Sequence, residues 1–202
     1  MKERPILFSA PMVRAILGGT KTQTRRIWKM PSWAEWDIDR GEARGYIIPK
    51  DPKCRGWYSI DEIASPYGRE GDQLWVREAW WQDTRDSKCA VMDADGYVVD
   101  VHPCSKATGT IVPVDDFCTH LFWRKRPSIH MPRWASRIQL EITGTRVERL
   151  RDIGQGDACA EGCPIGFEPL EWYQELWENI HGPGSWDANP WVWAVEFRRI
   201  NS

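Results

Sequence analysis

A short polar segment, GGTKTQTRR at positions 18–26, brings an ammonium, two guanidinium groups and several hydroxyls together. Hydrolysis of an amide needs a nucleophile, a group that activates it, donors for the oxyanion and a proton for the leaving amine. Thr24 can supply the nucleophilic hydroxyl, and Lys21 is the natural activating group. Arg25 and Arg26 can contact an anionic or carbonyl oxygen of a substrate. The same cluster is also typical of a polar strand end in solvent, so residue types alone leave both interpretations open.

Apolar periodicity indicates which elements hold this segment. An apolar run near the N-terminus predicts a strand, and a helix follows that Ser9 caps and that has Pro11 in its first turn. Two glycines end the helix, and the alternating, threonine-rich run 21–27 predicts a second strand. Because strict alternation puts Lys21 and Thr24 on opposite faces of a strand, we expect a turn or bulge at Lys21.

Later parts of the chain predict further regular elements around two irregular stretches. The predicted elements are strands at 74–78, 137–150 and 189–200 and helices at 152–161 and 168–181. Residues 28–70 and 82–127 lack sustained periodicity, apart from a hairpin turn predicted at Asp95-Gly96. Strands separated by lone helices, too far apart for simple βαβ units, favour an α+β fold built on a small mixed barrel.

Composition excludes several classes of protein. The formal net charge of −2 over 202 residues argues against a protein that coats long nucleic acid by bulk electrostatics. No apolar run approaches the roughly 18 residues of a membrane span, so we expect a cytoplasmic protein with no membrane partner and six reduced thiols. The 14 tryptophans suit either a thick core or a surface that stacks on flat ligands.

Several segments together resemble the ASCH domain, a β-barrel related to the PUA domain of RNA-binding proteins. They are PILFS…MVRAILGGTKTQTRR, GDQLWVRE, the ERL…EG stretch and the terminal WAVEF. The chain looks closest to the longer ASCH proteins of bacteriophages and prophages, which share SIHMPRWASR at 128–137. The resemblance implies one domain over 1–202, a small mixed β-barrel of the PUA-like/ASCH type with flanking helices and irregular insertions at about 28–70 and 82–127.

A shorter bacterial ASCH enzyme removes the acetyl group from acetylcytidine, and its motif G-x-K-T-x-T-x-R is matched position for position from Gly19 to Arg26. Its proposed catalytic residues are the lysine, the second threonine and a glutamate on the helix after the long central strand. The resemblance therefore implies that Lys21, Thr24 and Glu161 catalyse removal of an acyl group from an acylated cytidine or related nucleoside. Arg25 departs from the motif, because it replaces an apolar residue.

The role of Lys21 stays open at this point. To act as a base near neutrality, its pKa would have to fall from about 10.4, which costs about 4 kcal/mol. Burial and the neighbouring Arg25 and Arg26 lower the pKa, whereas Glu161 raises it. The alternative is that Lys21 stays protonated and stabilises the oxyanion while Glu161 handles protons.

Substrate contacts are predicted from Arg25, Arg26, Trp75 and Glu78. An indole can stack on a nucleobase, and Trp28 and Trp134 are further candidates for this role. Glu78 can accept hydrogen bonds from the amino group of a base, although a surface ion pair is the commoner role for such a residue.

The alternative function is a non-catalytic RNA- or nucleotide-binding module. The predicted partner is accordingly a small nucleoside-like substrate, with RNA as the alternative. We expect no cofactor and no metal. A zinc site from His102, Cys104, Cys118 and His120 is conceivable in principle, but the spacing matches no strong zinc motif, and free thiols are favoured. The sequence does not indicate an oligomeric state.

Overall fold

The first helix forms where its sequence predicts, although the predicted side-chain cap is absent. Helix α1 (Ala10–Leu17) begins directly after Ser9, has Pro11 in its first turn and buries Val13 and Ile16. The Ser9 side chain makes no capping hydrogen bond. Gly19 follows the helix with φ of 75°, a left-handed conformation that glycine adopts without the steric cost of a Cβ atom.

The computed structural model describes residues 1–39, 41–54, 56–83, 88–92, 98–103 and 123–200. The helices are α1 (Ala10–Leu17), α2 (Gly41–Arg44), α3 (Gln155–Ala160) and α4 (Pro169–His181). The first six strands are β1 (Glu3–Leu7), β2 (Gln23–Ile27), β3 (Ala34–Trp36), β4 (Tyr46–Pro49), β5 (Tyr58–Ser59) and β6 (Gln73–Arg77). The remaining strands are β7 (Trp80–Asp83), β8 (Lys88–Met92), β9 (Val98–Pro103), β10 (Trp123–Arg126), β11 (Gln139–Arg149) and β12 (Trp191–Ile200).

The chain divides into two compact units, the first of which comprises Met1–Thr20, Asp72–Glu141 and Arg198–Ser202. In this unit β6 lies between β1, with which it pairs in parallel, and the start of β11, with which it pairs antiparallel. A second sheet has the antiparallel order β10-β7-β8-β9. Apolar residues of β6 and β11 are fully buried, which places the core of the unit against this strand pair.

The second unit comprises Lys21–Gly71 and Ile142–Phe197. Here β12 lies between β2 and the later part of β11 and pairs antiparallel with β2. Helices α3 and α4 share an apolar cluster with β12, formed by Leu150, Ile153, Ala158, Tyr173, Trp177 and Val192. The predicted insertion at 28–70 contributes a three-stranded antiparallel sheet, β3-β4-β5.

The mixed composition of helices and strands is confirmed. The strand order of each described sheet has two ends, so the closed barrel stays a prediction, as does the single domain over 1–202. The hairpin turn at Asp95-Gly96 falls outside the described residues. No helix in the described ranges is both long and apolar enough to cross a membrane.

Candidate functional site

Lys21 and Glu161 lie 140 positions apart in the sequence and form a buried ion pair in the second unit. The Lys21 Nζ atom donates to Glu161 Oε2 at 2.7 Å and to the Glu161 backbone carbonyl at 2.8 Å. The two side chains are 0% and 3% exposed. The structure thus brings together the ammonium and the carboxylate that the sequence predicts to act together.

Backbone hydrogen bonds hold this pair from both sides. Glu161 directly follows α3, and Lys21 forms an isolated antiparallel bridge with it just before β2 begins. The Thr22 N–H donates to the Ala160 carbonyl at 2.8 Å, and the Phe197 N–H donates to the Thr22 carbonyl at 2.8 Å. The expected break in the strand is therefore present at Lys21, and it fixes the residue against the end of α3.

Arg25 holds three carboxylates around the same pair. Its Nη1 lies 3.2 Å from Glu161 Oε1 and its Nη2 2.8 Å from Asp157 Oδ2, while Nε donates to Glu148 Oε1 at 2.8 Å. The side chain is fully buried. Because each carboxylate neutralises part of the guanidinium charge, Arg25 acts in the structure as the centre of an ion-pair network.

Arg146 joins the network from β11. It donates to Glu148 Oε2 at 2.7 Å and to Asp157 Oδ2 at 2.9 Å, and it also pairs with Glu196. Sequence reasoning missed this residue and its partners Glu148 and Asp157. The sequence contains one indication of Asp157: it lies four residues before Glu161, so the two side chains share a helix face.

Burial sets the protonation behaviour of the site. It lowers the pKa of Lys21; the charge and hydrogen bond of Glu161 oppose that shift, and Arg26 and Arg25 add to it. Burial also raises the pKa of Tyr173 well above its ordinary value. The Arg25 guanidinium lies 5.9 Å from the centre of the Tyr173 ring. The ammonium of Lys21 is therefore easier to deprotonate than that of a free lysine, the direction that a general base requires.

Thr24 is buried on β2, opposite Val195 of β12. Because Lys21 and Arg25 reach the same carboxylate, alternation along the strand places the Thr24 side chain on the other face. Within the described part of the chain, no hydrogen bond joins Thr24 to Lys21 or Glu161. Its role as the nucleophile stays a prediction.

A cavity of about 390 Å³ lies in the second unit beyond the end of β2. Residues that line it include Ile27, Trp28, Ile63, Pro66, Tyr67 and Trp193. Trp28, a predicted stacking residue, thus lies at this cavity. Arg26 pairs in register with Trp193, and burial lowers its pKa against the opposing effect of Tyr67 and Glu161.

Trp75 and Glu78 belong to the first unit. The Glu78 carboxylate is nearly buried and accepts two hydrogen bonds from Arg137, at 2.9 and 3.0 Å. The Arg77 guanidinium lies 4.6 Å from the centre of the Trp75 ring. Glu78 is thus an ion-pair partner, although a buried one, and the substrate-binding roles of both residues stay predictions.

Among the residues that the structure describes, no group of three or more histidine, cysteine, aspartate or glutamate side chains is placed to hold a metal ion. The zinc ligands considered from sequence fall outside this set, because Cys104, Cys118, His120 and the His102 side chain are not described.

Comparisons with known proteins return one structural neighbour. No protein-family model matches the chain, and no curated protein matches it. The structure is similar to the ASCH domain from Lactobacillus crispatus JV V101, with 12% sequence identity and a TM-score of 0.42 over 98% of this chain and 79% of that one.

Proposed function

We propose that the second unit is an amidohydrolase that removes an acyl group from the exocyclic amine of an acylated cytidine or a related nucleoside. The observation that carries the proposal is the buried ion pair of Lys21 and Glu161, with a distance of 2.7 Å between Nζ and Oε2. The resemblance to the acetylcytidine hydrolase, in the motif from Gly19 to Arg26 and in the later stretch that ends near Glu161, implies this pair and adds Thr24 as the nucleophile.

The proposed reaction runs through an acyl-enzyme. The Thr24 hydroxyl attacks the acyl carbonyl while its proton passes to the neutral amine of Lys21. The bond from carbonyl carbon to nitrogen then breaks, and the leaving amine takes the proton back from Lys21. Water hydrolyses the ester on Thr24, releasing the carboxylic acid and restoring the hydroxyl. In the alternative assignment, Lys21 stays charged and stabilises the oxyanion while Glu161 accepts the proton.

To activate Thr24, its hydroxyl proton has to reach Lys21 at the irregular start of β2. Lys21 and Thr22 precede the regular strand, and the Lys21 ammonium is the nearest titratable group along the chain on the N-terminal side of Thr24. Catalytic hydrogen bonds are often long or poorly aligned in free enzymes and tighten when substrate binds. The proposed proton transfer therefore requires the Lys21 side chain to turn toward Thr24 at the irregular start of β2 when substrate binds.

Arg25 is a positioning residue in this proposal. Arg25 binds Glu161 Oε1 while Lys21 binds Oε2, and these two contacts together fix the orientation of the carboxylate. Asp157 and Glu148 hold the guanidinium in turn. An arginine at this position therefore supports the catalytic pair from within the protein rather than from the substrate side.

The second candidate is a non-catalytic RNA- or nucleotide-binding module. The ion pairs of Arg25 favour this function, because the arginine already binds three carboxylates of the protein itself. The aromatic cavity beyond β2 also suits a bound base without any chemistry.

Turnover of acylated cytidines tests the proposal. We expect the protein to release cytidine from at least one member of a panel of acylated cytidines, followed by liquid chromatography. Thr24→Ala should reduce the rate at least about 100-fold because it removes the nucleophile. Thr22→Ala is the matched control, since this exposed threonine lies in the same motif, and it should keep a near wild-type rate.

Failure of the wild-type protein on the whole panel would overturn the hydrolase proposal. A rate that Thr24→Ala leaves unchanged would show that the nucleophile is assigned wrongly. Without turnover, a gel shift with structured RNA that weakens as salt rises would support the binding module, because phosphate contacts release counterions.

A further inference from the structure

The cavity beyond β2 has the size and lining of a ligand site. Its volume of about 390 Å³ falls within the range of roughly 300–1,000 Å³ that is usual for small-molecule pockets. Three aromatic side chains, Trp28, Tyr67 and Trp193, line it together with apolar residues and Lys29. Trp36 packs against Trp28 with 5.6 Å between ring centres, which supports one side of this indole. Such a lining favours a flat ring.

The cavity shares a sheet face with Thr24. On β2, Thr24 and Arg26 lie two residues apart and pair with Val195 and Trp193 of β12, so these four residues face the same side. Trp28 continues the alternation, and its N–H donates to the Trp191 carbonyl at 2.8 Å. The cavity and the Thr24 hydroxyl therefore lie on the same face of the strand pair formed by β2 and β12.

The spacing along the strand suits a ring that carries an acyl arm. At about 3.3 Å per residue, the cavity residues on this face, Trp193 at the level of Arg26 and Trp28, lie about 7 and about 13 Å along the strands from Thr24. In an acylated cytosine, the acyl carbon lies about 4 Å from the ring centre, and a nucleophile attacks from about 3 Å. With the length of the threonine side chain, this reach is about 10 Å, which lies between those two distances.

We propose that this cavity binds the heterocyclic ring of the substrate, in contact with Trp28, Tyr67 and Trp193, with the exocyclic amide directed along β2 toward Thr24. The direction of the amide rests on the proposed amidohydrolase function. Binding of the ring in the cavity does not rest on that function, because it can be measured without turnover. The cavity selects amides of flat heteroaromatic amines over amides of alkyl amines, since an alkyl amine has no ring to stack.

Binding measurements on non-hydrolysing protein test the proposal. In the Thr24→Ala background, calorimetric titration should show binding of both acetylcytidine and cytidine. Tyr67→Leu, which keeps an apolar side chain but removes the ring, should weaken both affinities about 5- to 150-fold. Tyr67→Phe should keep them, because the stacking face remains.

A matched control excludes a general effect of losing a tyrosine. Tyr58→Leu removes an exposed aromatic ring of the same unit that does not line the cavity, and it should leave both affinities unchanged. Circular dichroism checks that every variant folds. An acetylated alkyl amine should not displace cytidine.

The outcomes separate the two proposals. If the protein with Thr24 intact turns over no acylated cytidine but Tyr67→Leu weakens cytidine binding, the result supports the cavity site and contradicts the hydrolase. Turnover in which Tyr67→Leu changes neither KM nor cytidine affinity supports the hydrolase and overturns the cavity site. An equal loss of affinity in Tyr58→Leu also overturns it.

Discussion

Lys21 shows how burial changes a single residue. Its ammonium lies out of water against Glu161, and Arg25 occupies the other carboxylate oxygen. Removing one partner from a buried ion pair typically costs 3–5 kcal/mol, because the remaining charge stays desolvated. Here the remaining carboxylate would keep Arg25, so the network tolerates loss of the ammonium better than an isolated pair would.

The pH dependence of catalysis distinguishes the two roles of Lys21. Because burial lowers its pKa, we expect kcat/KM to rise with pH through a midpoint below 10.5 as the neutral amine forms. Glu161→Gln removes the charge that opposes this shift, so the midpoint of the residual activity should move lower still. Rate measurements from pH 6 to 10 check both. A kcat/KM that falls over this range would assign the oxyanion role instead.

At the scale of elements, β2 separates two environments. One face presents Arg25 to the carboxylates of α3 and β11, and the other carries Thr24 and Arg26, which pair in register with Val195 and Trp193 of β12. The turn before the strand depends on Gly19, whose φ of 75° is costly for any residue with a Cβ atom. Helix α3, which ends next to Glu161, contains Gly156 with open space around its Cα atom.

Glycine substitutions at these elements should have opposite effects. Gly19→Ala should lower the free energy of unfolding by about 1 kcal/mol, because alanine resists the left-handed conformation. Gly156→Ala should raise it by up to about 1 kcal/mol, because a helical alanine loses less backbone entropy and meets no neighbour. Urea unfolding midpoints measure both. Equal shifts of the same sign would contradict this assignment of the two conformations.

At the scale of the whole molecule, Tyr173 and Tyr67, both among the described residues, resist ionisation in the folded state. Burial raises the pKa of Tyr173 and, to a smaller extent, that of Tyr67, where Arg26 opposes the shift. Unfolded tyrosine ionises near pH 10, so above this pH the unfolded chain releases protons that the folded chain keeps. Stability should therefore fall as pH rises above about 10.

Tyr173→Phe tests this linkage. The variant removes the phenol whose pKa is raised most, so its free energy of unfolding should decrease less steeply between pH 9 and 11 than that of the wild type. Urea unfolding at fixed pH values gives the comparison. Tyr58→Phe, at an exposed ring, should retain the wild-type slope. Parallel slopes for Tyr173→Phe and wild type would contradict the assignment.

The sequence by itself determined the elements whose signals are local. Pro11 and the glycines bound α1, alternation marks β2 and β11, and helical spacing marks α4, because each signal depends on neighbours a few positions away. The resemblance to a known motif also paired Lys21 with Glu161 across 140 positions. No local rule contains that contact.

Only the tertiary structure decided which groups surround that pair and which elements each face of β2 contacts. Glu148 and Asp157 come to Arg25 from β11 and α3, and the cavity forms where Tyr67 and Trp193 approach Trp28 from distant parts of the chain. Such contacts depend on packing and desolvation across the fold. Residue types and spacing therefore predicted which reactive groups this protein carries, whereas packing and burial decided which partners surround those groups.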